Sequence, residues 1–163
     1  MKSMMPVIAV FIGLLALMTF FFDGVIKRRH EPNRTLVVGT DGPARVSLTR
    51  NVAGRYVAPG RINEVSVNLL VDTGADSVAV PEHIARRANL TRGARVMVAT
   101  AGGRSSGYQT RIDQVTLGGI QMRNVPALVV PDMGGDAVLL GMSFLRHVDF
   151  SQQGDELIIE RRK

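Results

Sequence analysis

The feature that most constrains this chain is an uncharged apolar run near its amino terminus, Pro6–Phe22 (PVIAVFIGLLALMTFFF). A helix rises about 1.5 Å per residue, so this run, extended by Met4 and Met5, nearly crosses a hydrocarbon core of about 30 Å. A buried helix of a globular domain is a poorer interpretation, because no charged residue marks a solvent-facing side. The sequence therefore predicts a transmembrane helix over residues 4–22.

A cleaved signal peptide is the main alternative for this run. It would need small residues at a cleavage site, whereas Phe20, Phe21 and Phe22 lead directly into Asp23. We therefore expect an uncleaved anchor, followed by a linker over 23–34 and one domain over 35–163. The segment Lys27–Arg34 is basic, lacks apolar periodicity and contains a proline, so it is interpreted as a flexible tether.

The net charge of +6 comes from 20 basic and 14 acidic residues, which raises the question of a nucleic-acid partner. Five of the basic residues flank the apolar run: Lys2, Lys27, Arg28, Arg29 and Arg34. No basic block with interleaved aromatic residues follows, so a groove that tracks phosphates has little support. We expect no nucleic-acid partner.

The rest of the composition indicates a domain made of short strands. Seventeen glycines and seven prolines favour turns, and the absence of cysteine excludes disulfides and thiolate metal sites. Helical signal is limited to Pro81–Ala88 and to a turn or two after Gly141. Strands are predicted over Thr35–Gly39, Ala44–Leu48, Tyr56–Ala58, Val65–Val71, Val96–Thr100, Tyr108–Leu117, Val125–Val130, Ala137–Leu140 and Leu157–Glu160.

One strand runs directly into Asp72-Thr73-Gly74-Ala75-Asp76. The simplest interpretation is a turn in which Asp72 bonds the local backbone and Gly74 takes a positive φ. However, Asp72 follows three large aliphatic residues, so its carboxylate is expected to be partly buried, and such burial is costly without a purpose. Both interpretations remain open on the pattern alone.

Other arrangements of reactive residues are weaker. Gly141-Met142-Ser143 resembles the start of a nucleophile elbow, but Leu145 replaces its second glycine. Asp132 and Asp136 flank Gly134-Gly135, where a turn is more plausible than a cation loop. The three histidines, His30, His83 and His147, are too scattered for a zinc site, and we expect neither metal nor cofactor.

Two segments together resemble the retropepsin-like aspartic proteases, especially bacterial membrane-anchored single-domain members. These are Leu69–Pro81 (LLVDTGADSVAVP) and Ala137–Leu145 (AVLLGMSFL), with a glycine-rich hairpin between them. The resemblance covers roughly residues 50 to 160. It implies a mostly β, closed domain with a flap hairpin and one or two short helices, preceded here by the transmembrane helix.

The resemblance also implies roles for individual residues. Asp72 matches the catalytic aspartate, in an active-site loop with Thr73, Gly74 and Ala75. Asp76 matches a substrate-binding position, and Gly102 and Gly103 match the flap tip. Leu140 and Gly141 match the element that packs under the catalytic loop. One departure is Met142, which replaces an arginine that pairs with the equivalent of Asp76 in retroviral members; Arg61 or Arg146 is the expected substitute.

A single D-T-G supplies only half of a two-carboxylate site, so the resemblance implies a homodimer with Asp72 of each chain facing the other. The implied activity is hydrolysis of peptide bonds in protein substrates that are membrane-associated. Ala75 lacks the hydroxyl present in many two-lobed relatives, which predicts a pH optimum closer to neutrality. The alternative is a catalytically silent module of the same fold that binds peptides or scaffolds a partner.

The membrane face is ambiguous from the sequence. Positive charges after the apolar run favour a cytoplasmic domain, whereas bacterial relatives commonly place theirs in the periplasm and long domains translocate regardless of flanking charge. We expect a single-pass protein of the bacterial inner membrane with a periplasmic domain.

Overall fold

The computed structural model describes residues 5–38, 44–100 and 103–162; within these ranges, the side chains of residues 5–7, 9, 23–30, 37, 38 and 100 lie outside the description. The chain begins with a helix, α1 (Met5–His30). The remaining elements are β1 (Val37–Val38), β2 (Arg45–Thr49), β3 (Val57–Ile62), β4 (Val65–Val71), β5 (Val78–Pro81), α2 (Glu82–Arg87), β6 (Arg95–Thr100), β7 (Gly103–Leu117), β8 (Ile120–Val130), β9 (Ala137–Leu140), α3 (Met142–Leu145), β10 (Val148–Gln153) and β11 (Glu156–Arg161).

The strands form two sheets. The larger has the order β3-β4-β9-β5-β8-β7-β6, and β3 also pairs with β7, which closes the sheet on itself. The smaller has the order β1-β2-β11-β10 and joins the two ends of the domain. Alternating apolar positions fill the space between them, because successive residues of a strand point to opposite faces. The largest fully buried side chains include Phe144, Leu48, Ile62 and Leu69.

The mostly β architecture predicted from the sequence is confirmed, and β4 and β9 have the predicted bounds. Two strands were missed, β5 and β10. β5 has only four residues, and β10 (VDFSQQ) is exposed at five of its six positions, so neither has a clear alternation of apolar and polar residues. The hairpin strand β7 begins at Gly103 rather than at the predicted Tyr108, because Gly103–Gly107 pair with β6 instead of forming a loop.

The helix α1 continues to His30, through residues that the sequence assigned to an irregular linker. The basic residues before His30 are compatible with a helix, and the first proline after the apolar run is Pro32. In the part of the chain that the structure describes, no helix combines the length and the hydropathy needed to cross a membrane.

The connection between α1 and the β domain is short and attached to the domain. The Asn33 side chain is 6% exposed, and its amide donates to the carbonyl oxygens of Thr49 and Val57, both at 2.8 Å. Its oxygen accepts a 2.7 Å bond from the Thr49 N–H. The expectation of a flexible eight-residue tether over Lys27–Arg34 is therefore wrong, because the chain is fixed to the domain three residues after α1 ends.

Candidate active site

The candidate site is built where two parallel strands end at the same level. β4 and β9 pair in parallel, with Val71 beside Leu140. The backbone N–H of Asp72 continues this ladder with a 3.3 Å bond to the carbonyl oxygen of Leu140. Asp72 and Gly141, which follow the two strands, are consequently held side by side.

Asp72 begins a tight turn that its own side chain stabilises. Its Oδ1 accepts a 2.9 Å bond from the N–H of Gly74, and its carbonyl oxygen accepts a 3.3 Å bond from the N–H of Ala75. The Oδ2 atom has no hydrogen bond to any described residue, and the side chain is partly buried, as expected. Gly74 does not take the positive φ that the turn interpretation required. Asp72 thus has one oxygen that orders the loop and one left for an external partner.

Gly141 allows the loop that begins at Asp72 to pack closely on the start of α3. A Cβ at this position would lie 2.6 Å from the carbonyl oxygen of Ala75 and would overlap that of Ser77. The loop is also bonded to the start of α3, since Met142 N–H donates to Ala75 at 2.7 Å and Ser143 N–H donates to the Asp76 carbonyl at 2.9 Å. Gly141 therefore lies against the loop that begins at Asp72.

Ser143 is a positioning residue that the sequence analysis considered only as a nucleophile. It is 4% exposed; its hydroxyl donates a 2.7 Å bond to the Pro126 carbonyl oxygen and accepts a 2.9 Å bond from the Val78 N–H. Both capacities of the hydroxyl are used inside the fold, so Ser143 is not placed to attack a substrate. In the sequence, the only indication of this structural role was a small polar residue within an apolar element.

Two other residues of the loop are exposed. The hydroxyl of Thr73 and the carboxylate of Asp76 make no hydrogen bond or ion pair with any described residue. The suggested partners of Asp76 are wrong within one chain: Arg61 bonds Glu64 at 3.0 Å, and Arg146 donates to His147 at 3.3 Å. Exposed polar groups around a partly buried carboxylate leave this face available to another molecule.

The glycine-rich hairpin predicted over the site is present as β6–β7. Gly103 pairs with Thr100 and takes a φ of +117°, whereas Gly102 lies outside the described residues. The stem is attached to the body of the domain, since the Ser105 hydroxyl donates a 2.9 Å bond to Asp132 Oδ2. At its base, Arg92 lies 4.6 Å from the centre of the Tyr108 ring, and its hydrogen bond to Glu82 raises the pKa of the guanidinium.

The acidic loop considered as a cation site has other contacts. Asp132 bonds Ser105, and Asp136 Oδ1 lies 3.0 Å from Nε2 of His83. Asp132 therefore connects the loop to β7, and Asp136 connects it to α2. No group of three potential metal ligands occurs in ranges 5–38, 44–100 and 103–162.

Comparison with known proteins relates this geometry to a family. The model of the family of gag-polyprotein putative aspartyl proteases matches residues 58–147, a range that contains Asp72, the hairpin and Gly141. A curated protein of Sinorhizobium sp, described as an uncharacterized protein in the cobV 5' region, is 30% identical over 127 residues. That match covers 76% of this chain and 54% of the relative, so the chain spans about half the length of the curated relative.

A solved structure gives a similar result for the fold. The chain is similar to a retropepsin-like aspartic protease from Rickettsia conorii, with a TM-score of 0.59 and 26% identity over 70% of this chain and 97% of that one. It also matches EIAV protease complexed with the inhibitor HBY-793, with a TM-score of 0.49 and 24% identity over 61% of this chain and 92% of that one.

Proposed function

This chain belongs to the family of gag-polyprotein putative aspartyl proteases and has a mostly β, retropepsin-like fold; from that membership we propose that it is an aspartic endopeptidase with Asp72 as its catalytic residue. The observation that carries the proposal is the position of Asp72. It follows β4 where that strand ends beside its parallel partner β9. It is partly buried, with one carboxylate oxygen bonded to Gly74 and the other unbonded among described residues.

The proposed chemistry needs two carboxyl groups that share one proton around a water molecule. The ionised group takes a proton from the water as the water attacks the scissile carbonyl, and the neutral group donates its proton to the carbonyl oxygen. The bond between Asp72 Oδ1 and Gly74 holds the carboxylate in one orientation, which lowers the entropic cost of reaching the reactive geometry.

The second carboxylate is proposed to be Asp72 of another copy of this chain. The sequence contains one D-T-G and no repeat, so a single copy has half of the site. A two-fold axis near Asp72 would place the same loop from both chains face to face. The exposed hydroxyl of Thr73, without a partner among the described residues of one chain, supports an intermolecular role for it.

An unprotected sheet edge supports this pairing. β10 is the outer strand of the smaller sheet, and Phe150 on it is 43% exposed. The strand contains no lysine or proline, and its one charged residue, Asp149, is paired with Arg162 at 2.8 Å. An exposed edge strand that carries an apolar side chain such as Phe150 invites another strand unless the protein blocks it.

The test of the proposed activity is Asp72→Asn, which is nearly isosteric but cannot accept the proton. Purified full-length protein should cleave unstructured peptide substrates, and Asp72→Asn should cleave them at least a thousandfold more slowly with an unchanged circular dichroism spectrum. Statine-type inhibitors, which mimic the tetrahedral intermediate, should also block wild-type cleavage. Cleavage by Asp72→Asn at the wild-type rate would end the assignment, whereas peptide binding without cleavage by the wild type would favour a silent binding module.

We further propose that α1 is a membrane anchor. Eleven large apolar side chains between Ile8 and Phe22 are 50–85% exposed. Apolar exposure on this scale marks a contact with lipid or protein, and the uncharged sequence favours lipid. Because Asn33 fixes the connection to the domain, the active site would stay close to the membrane surface, which favours juxtamembrane segments of membrane proteins as substrates.

We propose a bacterial inner-membrane location with the domain in the periplasm. A protease added to intact spheroplasts should then digest the domain, as followed by a carboxyl-terminal epitope. Digestion only after lysis would place the domain in the cytoplasm, and recovery of the epitope in the soluble fraction after carbonate extraction would refute the anchor.

A further inference from the structure

A basic groove, which Asp72 does not line, lies beside β8 and the end of β11. Its cavity of about 570 Å³ is formed by the first half of β8, by His147 and Val148, and by the end of β11. Three arginines line it, namely Arg123, Arg161 and Arg162, and no acidic side chain does so among the described residues. Asp72 does not line it, so an inference about this groove is independent of the proposed function.

Arg162 is held in a fixed orientation at the wall of the groove. Its Nε and Nη2 atoms donate to Asp149 Oδ1 at 3.0 and 2.8 Å. Its Nη1 and Nη2 atoms donate to the carbonyl oxygens of Arg146 and Val148 at 3.1 and 3.4 Å. Asp149 offsets the charge of Arg162, so the role of this residue is to shape the wall.

Arg123 and Arg161 provide charge that nothing in the described chain neutralises. Neither guanidinium has a hydrogen bond or ion pair with a described residue, although both line the same cavity. Both side chains are exposed to water, so they are free to reorient toward a ligand in the groove. The groove is therefore complementary to a negatively charged group.

His147 adds a directional donor to these charges. Its Nε2 atom accepts a 3.3 Å bond from Arg146 Nε. An imidazole ring that accepts at Nε2 carries its N–H on Nδ1, and this atom has no hydrogen bond to a described residue. Ser143 also lines the groove, but its hydroxyl is already bonded to Pro126 and Val78.

We propose that this groove binds a phosphate group carried by a small molecule or by a lipid headgroup. Guanidinium groups recognise phosphate through paired, charge-assisted hydrogen bonds, and the groove offers two uncommitted guanidinium groups beside an imidazole N–H. The cavity volume falls within the range of about 300–1,000 Å³ that small-molecule sites occupy, so it holds more than a bare ion. A soluble phosphomonoester and a phospholipid present the same chemistry, and the experiment separates them.

The experiment titrates the full chain in a non-ionic detergent by calorimetry at about 0.15 M salt. The soluble probe is glycerol 3-phosphate with glycerol as its control, and the lipid probe is dihexanoyl phosphatidic acid with dihexanoyl phosphatidylcholine as its control. We expect Arg123→Gln and Arg161→Gln each to weaken binding of the phosphomonoester about tenfold, because each removes hydrogen bonds to a charged group. Binding of glycerol 3-phosphate indicates a soluble ligand, and binding of phosphatidic acid alone indicates a headgroup.

Arg55→Gln is the matched control. Arg55 is exposed and lies outside the groove, so this variant removes the same charge without touching the site. If Arg55→Gln weakens binding as much as the groove variants, the interaction is general attraction to a basic protein and the proposal is overturned. Absence of binding of both phosphomonoester probes at millimolar concentration overturns it as well.

Discussion

A Cβ atom on Gly141 would lie 2.6 Å from the carbonyl oxygen of Ala75, a separation that leaves no room for any side chain. The same contact brings the start of α3 within hydrogen-bonding distance of the loop that contains Asp72, through the 2.7 Å bond from Met142 to Ala75. Close backbone packing at Gly141 is thus what holds the candidate catalytic loop in place.

Gly141→Ala should therefore displace this loop and lower stability. The added methyl meets backbone atoms that cannot rotate away, and overpacking of this kind costs about 1–3 kcal/mol. We expect a lower midpoint of urea unfolding and a loss of peptidase activity that exceeds the loss of folded protein. Gly134→Ala is the control, because a Cβ there meets nothing within 4 Å. Equal stability of the two variants would contradict the packing argument.

Ser143→Ala should destabilise the domain but should not remove a catalytic nucleophile. The substitution leaves the buried N–H of Val78 and the Pro126 carbonyl oxygen without their side-chain partner, which costs about 1–3 kcal/mol. Chemical unfolding should show this loss, while the activity per folded molecule stays within about tenfold of the wild type. A complete loss of activity in fully folded Ser143→Ala would contradict a role limited to stability.

Thr73→Ala should weaken dimer formation and leave the isolated chain almost unaffected. The Thr73 hydroxyl has no partner among the described residues of one chain, and a dimer would use it once on each side. Two bonds at about 1 kcal/mol each correspond to roughly a thirtyfold rise in the dimer Kd. Sedimentation equilibrium of the domain without α1 measures this, with Thr73→Ser as the variant that keeps the hydroxyl. A domain that sediments as a monomer and still cleaves peptide at the full rate would contradict the two-chain site.

Phe150→Glu should prevent association along β10. A carboxylate at this edge would face its symmetry mate across a two-fold axis, and repulsion would replace apolar contact. We expect the variant to sediment as a monomer with the circular dichroism spectrum of the wild type, whereas Phe150→Leu remains a dimer. If Phe150→Glu dimerises as tightly as the wild type, the interface lies elsewhere on the chain.

Some of the fold and the site could be read from local pattern. β4 and β9 were predicted with their observed bounds because each is rich in aliphatic residues and has a clear end, at Asp72 and at Gly141. The helix α2 was predicted within one residue of Glu82–Arg87 at each end, since Pro81 is favoured at a helix start. The position of Asp72 after an apolar strand also predicted its partial burial.

Other parts had no local signal. β10 is polar and exposed, and it is a strand because β11 pairs with it across a tight turn. The function of Asn33 could not be read either, since its partners, Thr49 and Val57, are distant in sequence. Likewise, the sequence could not show that Asp76 contacts neither arginine. Arg61 bonds Glu64 instead, and Arg146 bonds His147.

The sequence by itself determined that this chain has an apolar amino-terminal helix segment, a domain of short strands, and one aspartate set at the end of a buried strand, because each of these depends on residues adjacent along the chain. Only the tertiary structure decided that Ser143 bonds Val78 and Pro126, and that Arg123 and Arg161 share one groove. These relationships join segments far apart in sequence, and they exist only where parallel pairing of β4 with β9 and closure of the sheet bring those segments within bonding distance.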